Sequence, residues 1–119
     1  MFLLTRIYSD LNGDSHFEDV TIPLKDAGRI GSLSEMVSAR GVIFREVDPS
    51  YDYDFHNPPQ RQYIFLLDGE IEIETSLGDK RNFKAGNVLL VEDITGKGHK
   101  TRNLLSEKRR SVFIPLDQE

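Results

Sequence analysis

The chain has 119 residues, 38% of them hydrophobic, and no cysteine. That is one domain of ordinary size, and without cysteine there is no disulfide scaffold, thiol catalysis, thiolate zinc site or iron–sulfur cluster. A net charge of −5 and a pI near 5.2 argue against a nucleic-acid partner, which needs a basic face. No apolar run approaches the roughly 20 residues of a membrane span. The start, Met1 to Arg6, lacks the charged and long apolar regions of a signal peptide. The expectation is a soluble, cytoplasmic chain with no membrane partner.

In chain order, Phe2 to Tyr8 is expected to pair with Val20–Leu24 across the turn Asp10-Leu11-Asn12-Gly13-Asp14. Pro23 marks that second strand as a sheet edge. Asp10, Asn12 and Asp14 have the spacing that opens a calcium loop, but Ser15 and Thr21 stand where Gly and the bidentate Glu belong, so the segment reads as a hairpin turn. Leu33 to Ala39 is the one short stretch with helical character. Gly41 to Val47 reads as a strand, ended by Asp48-Pro49-Ser50. Tyr51, Tyr53 and Phe55 alternate ahead of His56 and are candidates for an aromatic wall.

Tyr63 to Leu67 is a strand, and Asp68-Gly69 signals a hairpin into Glu70–Glu74, where Ile71 and Ile73 alternate with three glutamates. A second turn lies at Ser76–Asp79, and Asn87–Val91 and Ser111–Pro115 are further strands. Lys108-Arg109-Arg110 reads as a solvated loop. Short strands at spacings near ten residues with turn residues between them argue an all-β sandwich or barrel. Tyr63–Leu67 and Val88–Val91 are apolar on both faces. One face lines the interior, and the other needs a cover from the N-terminal strands or from a second subunit, which makes a homodimer the expectation.

Only three histidines exist, and His16 sits in a polar stretch that reads as exposed. His56 precedes the stiff segment Asn57-Pro58-Pro59. By parity Gln62 shares a face with Ile64 and Leu66, whereas Arg61 shares one with Tyr63 and Phe65. His99 follows Gly96-Lys97-Gly98, where glycines permit close backbone approach.

These residues carry a family resemblance over roughly Gly41 to Leu116. The chain resembles a small single-domain cupin. His56 matches the first histidine of the first cupin motif, Gln62 stands at the glutamate position seven residues before Gly69, and Leu67-Asp68-Gly69-Glu70 matches the usual turn. The second motif runs from Gly78 through Lys84, Ala85 and Gly86 to His99 and Asn103. The departures are Pro58 for the second metal histidine, Gln62 for the glutamate, Ser50 for a glycine and Lys84 for a proline.

The resemblance implies an all-β double-stranded β-helix, or jelly-roll barrel. The chain reads as one domain over 1–119, with the barrel at about 41–116 and N-terminal strands in 1–40 as an extension. It also implies a site in the barrel. His56 and His99 are the candidate catalytic residues. With Gln62 they are also the candidate ligands of one divalent metal (Fe, Mn, Zn or Ni), if any is bound. Arg61, Gln62, Tyr53, Asp93 and Arg102 are candidates for binding a small polar or anionic substrate. The implied activity is a metal-dependent oxygenase or isomerase. The alternative is a ligand-binding or sensor cupin without a metal.

Overall fold

The computed structural model describes residues 1–117, and period-two alternation places most of them in strands. The strands are β1 (Phe2–Ser9), β2 (Ser15–Ile22), β3 (Lys25–Asp26), β4 (Ser32–Leu33), β5 (Ile43–Val47), β6 (Asp52–His56), β7 (Gln62–Leu66), β8 (Glu70–Thr75), β9 (Lys80–Lys84), β10 (Val88–Val91), β11 (His99–Asn103) and β12 (Arg109–Pro115). A six-stranded sheet has the order β2-β1-β10-β7-β12-β5, and a four-stranded sheet has the order β6-β11-β8-β9. Strands β3 and β4 form a separate small ribbon.

The core lies between the two large sheets. Ile71 and Ile73 of β8, Phe83 of β9, Leu66 of β7, Leu89 and Val91 of β10 and Ile7 of β1 are buried together. On β8 the two isoleucines point inward and the glutamates outward, as their alternation requires. The β1–β2 hairpin forms across the Asp10–Asp14 turn, with β2 at the sheet edge. The Asp10 carboxylate organises that turn by accepting from the backbone N–H of Asn12 and of Asp14. Strand β1 also pairs with β10 in parallel, Ile7 opposite Val91. The N-terminal strands are thus part of the larger sheet.

Asp68-Gly69 does not close a hairpin. β7 belongs to the six-stranded sheet and pairs with β10 and β12, whereas β8 pairs with β9 and β11 in the other sheet. The turn carries the chain from one sheet to the other. Gly69 takes φ +72°, and a Cβ there would come within 2.9 Å of the Arg109 side chain. The turn is held instead by the Asp68 carboxylate, which accepts from the backbone N–H and the Nε of Arg110 at 2.6 and 2.7 Å. An Asp-Gly pair makes a tight reversal, but neighbouring strands decide which partners its flanks find.

Leu33 to Ala39 is not helical. Among the described residues the helical ones are a single 3₁₀ turn, Gly28–Ile30. Seven residues are too few to nucleate a helix without packing, and the Ser34 hydroxyl donates to the backbone carbonyl of Glu35, a local bond that competes with helix. This segment instead walls an apolar groove of about 710 Å³ on the outer face of the six-stranded sheet, whose floor includes Tyr63, Phe65, Val88 and Ile114. The chain thus supplies part of the cover that these two-sided apolar strands require. The cover is incomplete, since Met36 remains 94% exposed.

His16 lies on β2 rather than in an exposed loop. It is half-buried beside Tyr8, and its Nε2 lies 2.7 Å from Asp10 Oδ2.

Candidate functional site

Two prolines and two glycines shape the histidine end of the barrel. Pro58 and Pro59 hold the segment after β6 extended, and Pro58 is buried against the barrel interior. Gly98 takes φ +71°, and a Cβ on it would lie 2.0 Å from the carbonyl oxygen of His56. The backbone of the 96–98 turn therefore passes against the end of β6 at van der Waals distance, a contact only glycine permits. Gly96 makes the equivalent approach to Gly13 in the β1–β2 turn. As a result β11 opens beside β6 with His99 opposite His56 in register.

The two imidazoles have centroids 5.2 Å apart. Each is oriented by its own acceptor. His56 Nδ1–H donates to the Asp54 carbonyl at 3.0 Å, and His99 Nδ1–H donates to Asp93 Oδ2 at 2.6 Å. An imidazole bonded through Nδ1 leaves Nε2 as its free nitrogen, so both rings keep that nitrogen for a ligand. Burial lowers the His56 pKa, and the repulsion of a charged His99 lowers it further against the opposing Asp54 hydrogen bond. His56 therefore favours its neutral form. Its ¹⁵N chemical-shift titration should show a midpoint below the usual value of about 6.5. A midpoint at or above that value would contradict the burial seen here.

Asp93 is fully buried, and its Oδ1 finds no partner among the described residues. The backbone around it is pinned by Asn57, whose Nδ2 donates to the Asp93 carbonyl at 2.9 Å. Asp93 thus positions the His99 ring from behind.

His56, His99 and Gln62 line one cavity of about 110 Å³, with walls from Ile64, Leu66, Leu89 and Phe113. Gln62, Ile64 and Leu66 share that face, as parity requires. Tyr53 packs on His56 at 4.2 Å between ring centroids but is 52% exposed, at the outer edge of the site. Alternation from His56 would put Tyr53 on the opposite face. A β-bulge changes this: between the pairs His99–His56 and Thr101–Tyr53, β6 spends two residues, Asp54 and Phe55, against one on β11. The bulge also breaks the expected aromatic wall. Tyr51 lines the cavity, whereas Phe55 is exposed under Lys100.

Arg61 and Arg102 stand elsewhere. Arg102 is exposed and bound to Glu72 at 2.9 Å on the outer face of the four-stranded sheet. Arg61 is held by Glu92, whose carboxylate also takes the guanidinium of Arg6. Burial pushes the Glu92 carboxyl up, but hydrogen bonds from Arg6 and Arg61 outweigh it and hold the group below the usual carboxylate range. A depressed carboxyl stabilises the fold above its unfolded pKa, near 4.3, and that contribution fades as pH falls through the folded value. Glu92→Gln is expected to cost about 1–2 kcal/mol at pH 7, discounted because both arginines are one-third exposed. It should also flatten the loss of stability below pH 5, which urea melts across pH would read. An unchanged acid profile would show that the triad contributes nothing.

The same cavity is also lined by two residues that the sequence reading passed over, Arg45 and Arg109. Arg109 belongs to the basic run expected in a solvated loop, yet it is 2% exposed. Only its neighbours are at the surface, Arg110 on Asp68 and Lys108 on Glu46. The readable signal was parity: counting back by twos from Phe113 through Ser111 reaches Arg109 on the inward face. The Arg109 guanidinium donates through Nε to Asn103 at 2.9 Å and lies 5.6 Å from the Tyr51 ring centroid. Burial pulls its pKa down, and Arg45 adds to that. Arg45 lies over both Tyr51 and Phe113.

The donor set falls short of a resident metal. A catalytic zinc takes three protein ligands besides its open position. Here two imidazoles and one neutral amide share the cavity, and among the described residues no group of three His, Cys, Asp or Glu side chains is placed to hold a metal ion.

No family model matches the chain, and no curated protein matches it in sequence. Its structure is similar to solved cupin structures. One is a cupin 2 conserved barrel domain protein from Salinispora arenicola, with 20% identity over 64% of this chain and a TM-score of 0.52. The chain spans 61% of that protein's length. The Schizosaccharomyces pombe Cnp3 cupin domain is 18% identical, with 87% of this chain and 73% of that one covered and a TM-score of 0.53. The Drosophila melanogaster CENP-C cupin domain gives 12% identity, coverage of 77% and 74%, and a TM-score of 0.50. Two facing sheets, with the motif histidines side by side at one end, and the likeness to these solved structures give this chain the cupin jelly-roll fold.

Proposed function

We propose that the chain is a small-ligand-binding cupin whose barrel holds a small polar or anionic molecule without a resident metal. The observation that carries this is the pair of imidazoles on one cavity, each fixed through Nδ1 and each leaving Nε2 free. Such a pair accepts hydrogen bonds or a proton from a bound molecule at neutral pH. Asp93 fixes the orientation of the His99 ring through Nδ1. If the bound molecule reacts, proton transfer is the chemistry that these residues supply.

A weakly held divalent metal is the second reading. One feature favours it: a histidine backed by a carboxylate is the usual arrangement behind a metal ligand, and His99 has that backing. Elemental analysis of untagged protein, followed by titration with Fe, Mn, Zn and Ni, separates the two. Substoichiometric metal and no saturable uptake support the metal-free reading. One tightly bound equivalent, lost in His99→Ala, replaces it with the metal-dependent one. His99→Ala is also expected to abolish any turnover or ligand response while the far-ultraviolet circular dichroism stays unchanged.

The homodimer belongs to this reading as well, with a second copy completing the cover of the outer apolar groove. Sedimentation at twice 13.6 kDa supports it, and sedimentation at 13.6 kDa removes it.

A further inference from the structure

We propose that Arg45 and Arg109 form the anion anchor of the barrel and that the ligand class is a short-chain carboxylate, held by its carboxylate at the two arginines with its small body among the apolar walls. This rests on the reading that the barrel is the ligand site, and it names what that site selects.

Three observations carry it. First, two guanidinium groups line one small cavity, and neither has a carboxylate within salt-bridge distance among the described residues. Arg109 is buried and cannot escape its charge by deprotonating. A buried cation without a counter-ion is costly, and an incoming anion removes that cost. The other arginines bordering the barrel, Arg61 and Arg102, are already neutralised by Glu92 and Glu72. Second, the polar residue that faces Arg45 across the ladder is also unsatisfied. Ser111 lies opposite Arg45, and its buried hydroxyl has no partner among the described residues. Third, size and wall chemistry narrow the class. A cavity of about 110 Å³ holds the volume of about four waters, which suits two to four carbons rather than a sugar or nucleotide. A planar carboxylate matches the guanidinium fork, and isoleucine, leucine and phenylalanine side chains around it favour an alkyl body.

The test uses the full chain, labelled with ¹⁵N and held at constant ionic strength with sodium chloride. Sodium propionate is the probe. Propionamide is its neutral isostere, and sodium phosphate is the competing anion. Expected are saturable shifts of the Arg Nε–H and histidine imidazole resonances with propionate, a rise in Tm, and no saturable response to propionamide. Arg109→Met and Arg45→Met should each weaken propionate roughly 10- to 100-fold, the loss expected for a charge-assisted contact. Arg102→Gln should leave the affinity unchanged. If Arg109→Met does not fold, Arg45→Met decides alone. Equal binding of propionamide, binding of phosphate alone, or undiminished propionate affinity in the arginine variants overturns the inference. If propionate still shifts the histidines in those variants, the barrel reading survives and only the anchor falls. If no probe shifts either set of resonances, both fall.

Discussion

Gly98→Ala is expected to destabilise the protein by more than about 4 kcal/mol, at the top of the range for one substitution. Two costs add. The residue sits at φ +71°, where a non-glycine side chain pays roughly 1–2 kcal/mol. The new Cβ would also lie 2.0 Å from the carbonyl oxygen and 2.4 Å from the carbonyl carbon of His56. Both are backbone atoms, so no flexible side chain can swing away. Relief requires β6 or the 96–98 turn to move. The Gly98 carbonyl also accepts from the buried Ser15 hydroxyl at 2.7 Å, so moving the turn breaks a tie to β2. Typical domains have only about 5–15 kcal/mol to lose. The variant should therefore unfold at much lower urea, and any folded fraction should show displaced His56 resonances. A midpoint within experimental error of wild type would mean that the turn does not pass against β6 as described.

Ile7→Ala is expected to cost about 3–4 kcal/mol, within the range for emptying a buried isoleucine site. Ile7 is fully buried in the central cluster and stands opposite Val91 in the parallel β1·β10 ladder. Its neighbours belong to strands on both sides of the core and cannot collapse into the space without shifting a sheet. Leu3→Ala serves as the internal comparison. It is on the same strand but 58% exposed, and should cost less than about 0.5 kcal/mol. Urea denaturation of both variants gives the contrast. Similar small effects would show that the N-terminal strands are an appendage rather than part of the six-stranded sheet.

Much of the fold was legible because strand alternation is local. Ile71 and Ile73, Gln62 with Ile64 and Leu66, and the β1–β2 hairpin all follow from period two and turn chemistry. The failures share one cause. Asp68-Gly69 reads as a hairpin by composition, but its flanking strands find better partners elsewhere. Tyr53 changes side because a bulge inserts one residue between it and His56. Arg109 reads as solvent-facing in a basic triplet, although parity from Phe113 turns it inward. Arg61 reads as a free cation until Glu92, far along the chain, is brought beside it.

By itself the sequence determined the class of chemistry available: an all-β chain with nitrogen and oxygen donors alone, and His56 and His99 as the imidazoles in matching motif positions. Which charges remain unsatisfied was decided only in three dimensions. Pairing of charges depends on strand order and register, and those are set by contacts between residues distant along the chain. Glu92 and Glu72 neutralise the two arginines that looked free, while Arg109 is buried and Arg45 half-buried without a carboxylate partner among the described residues.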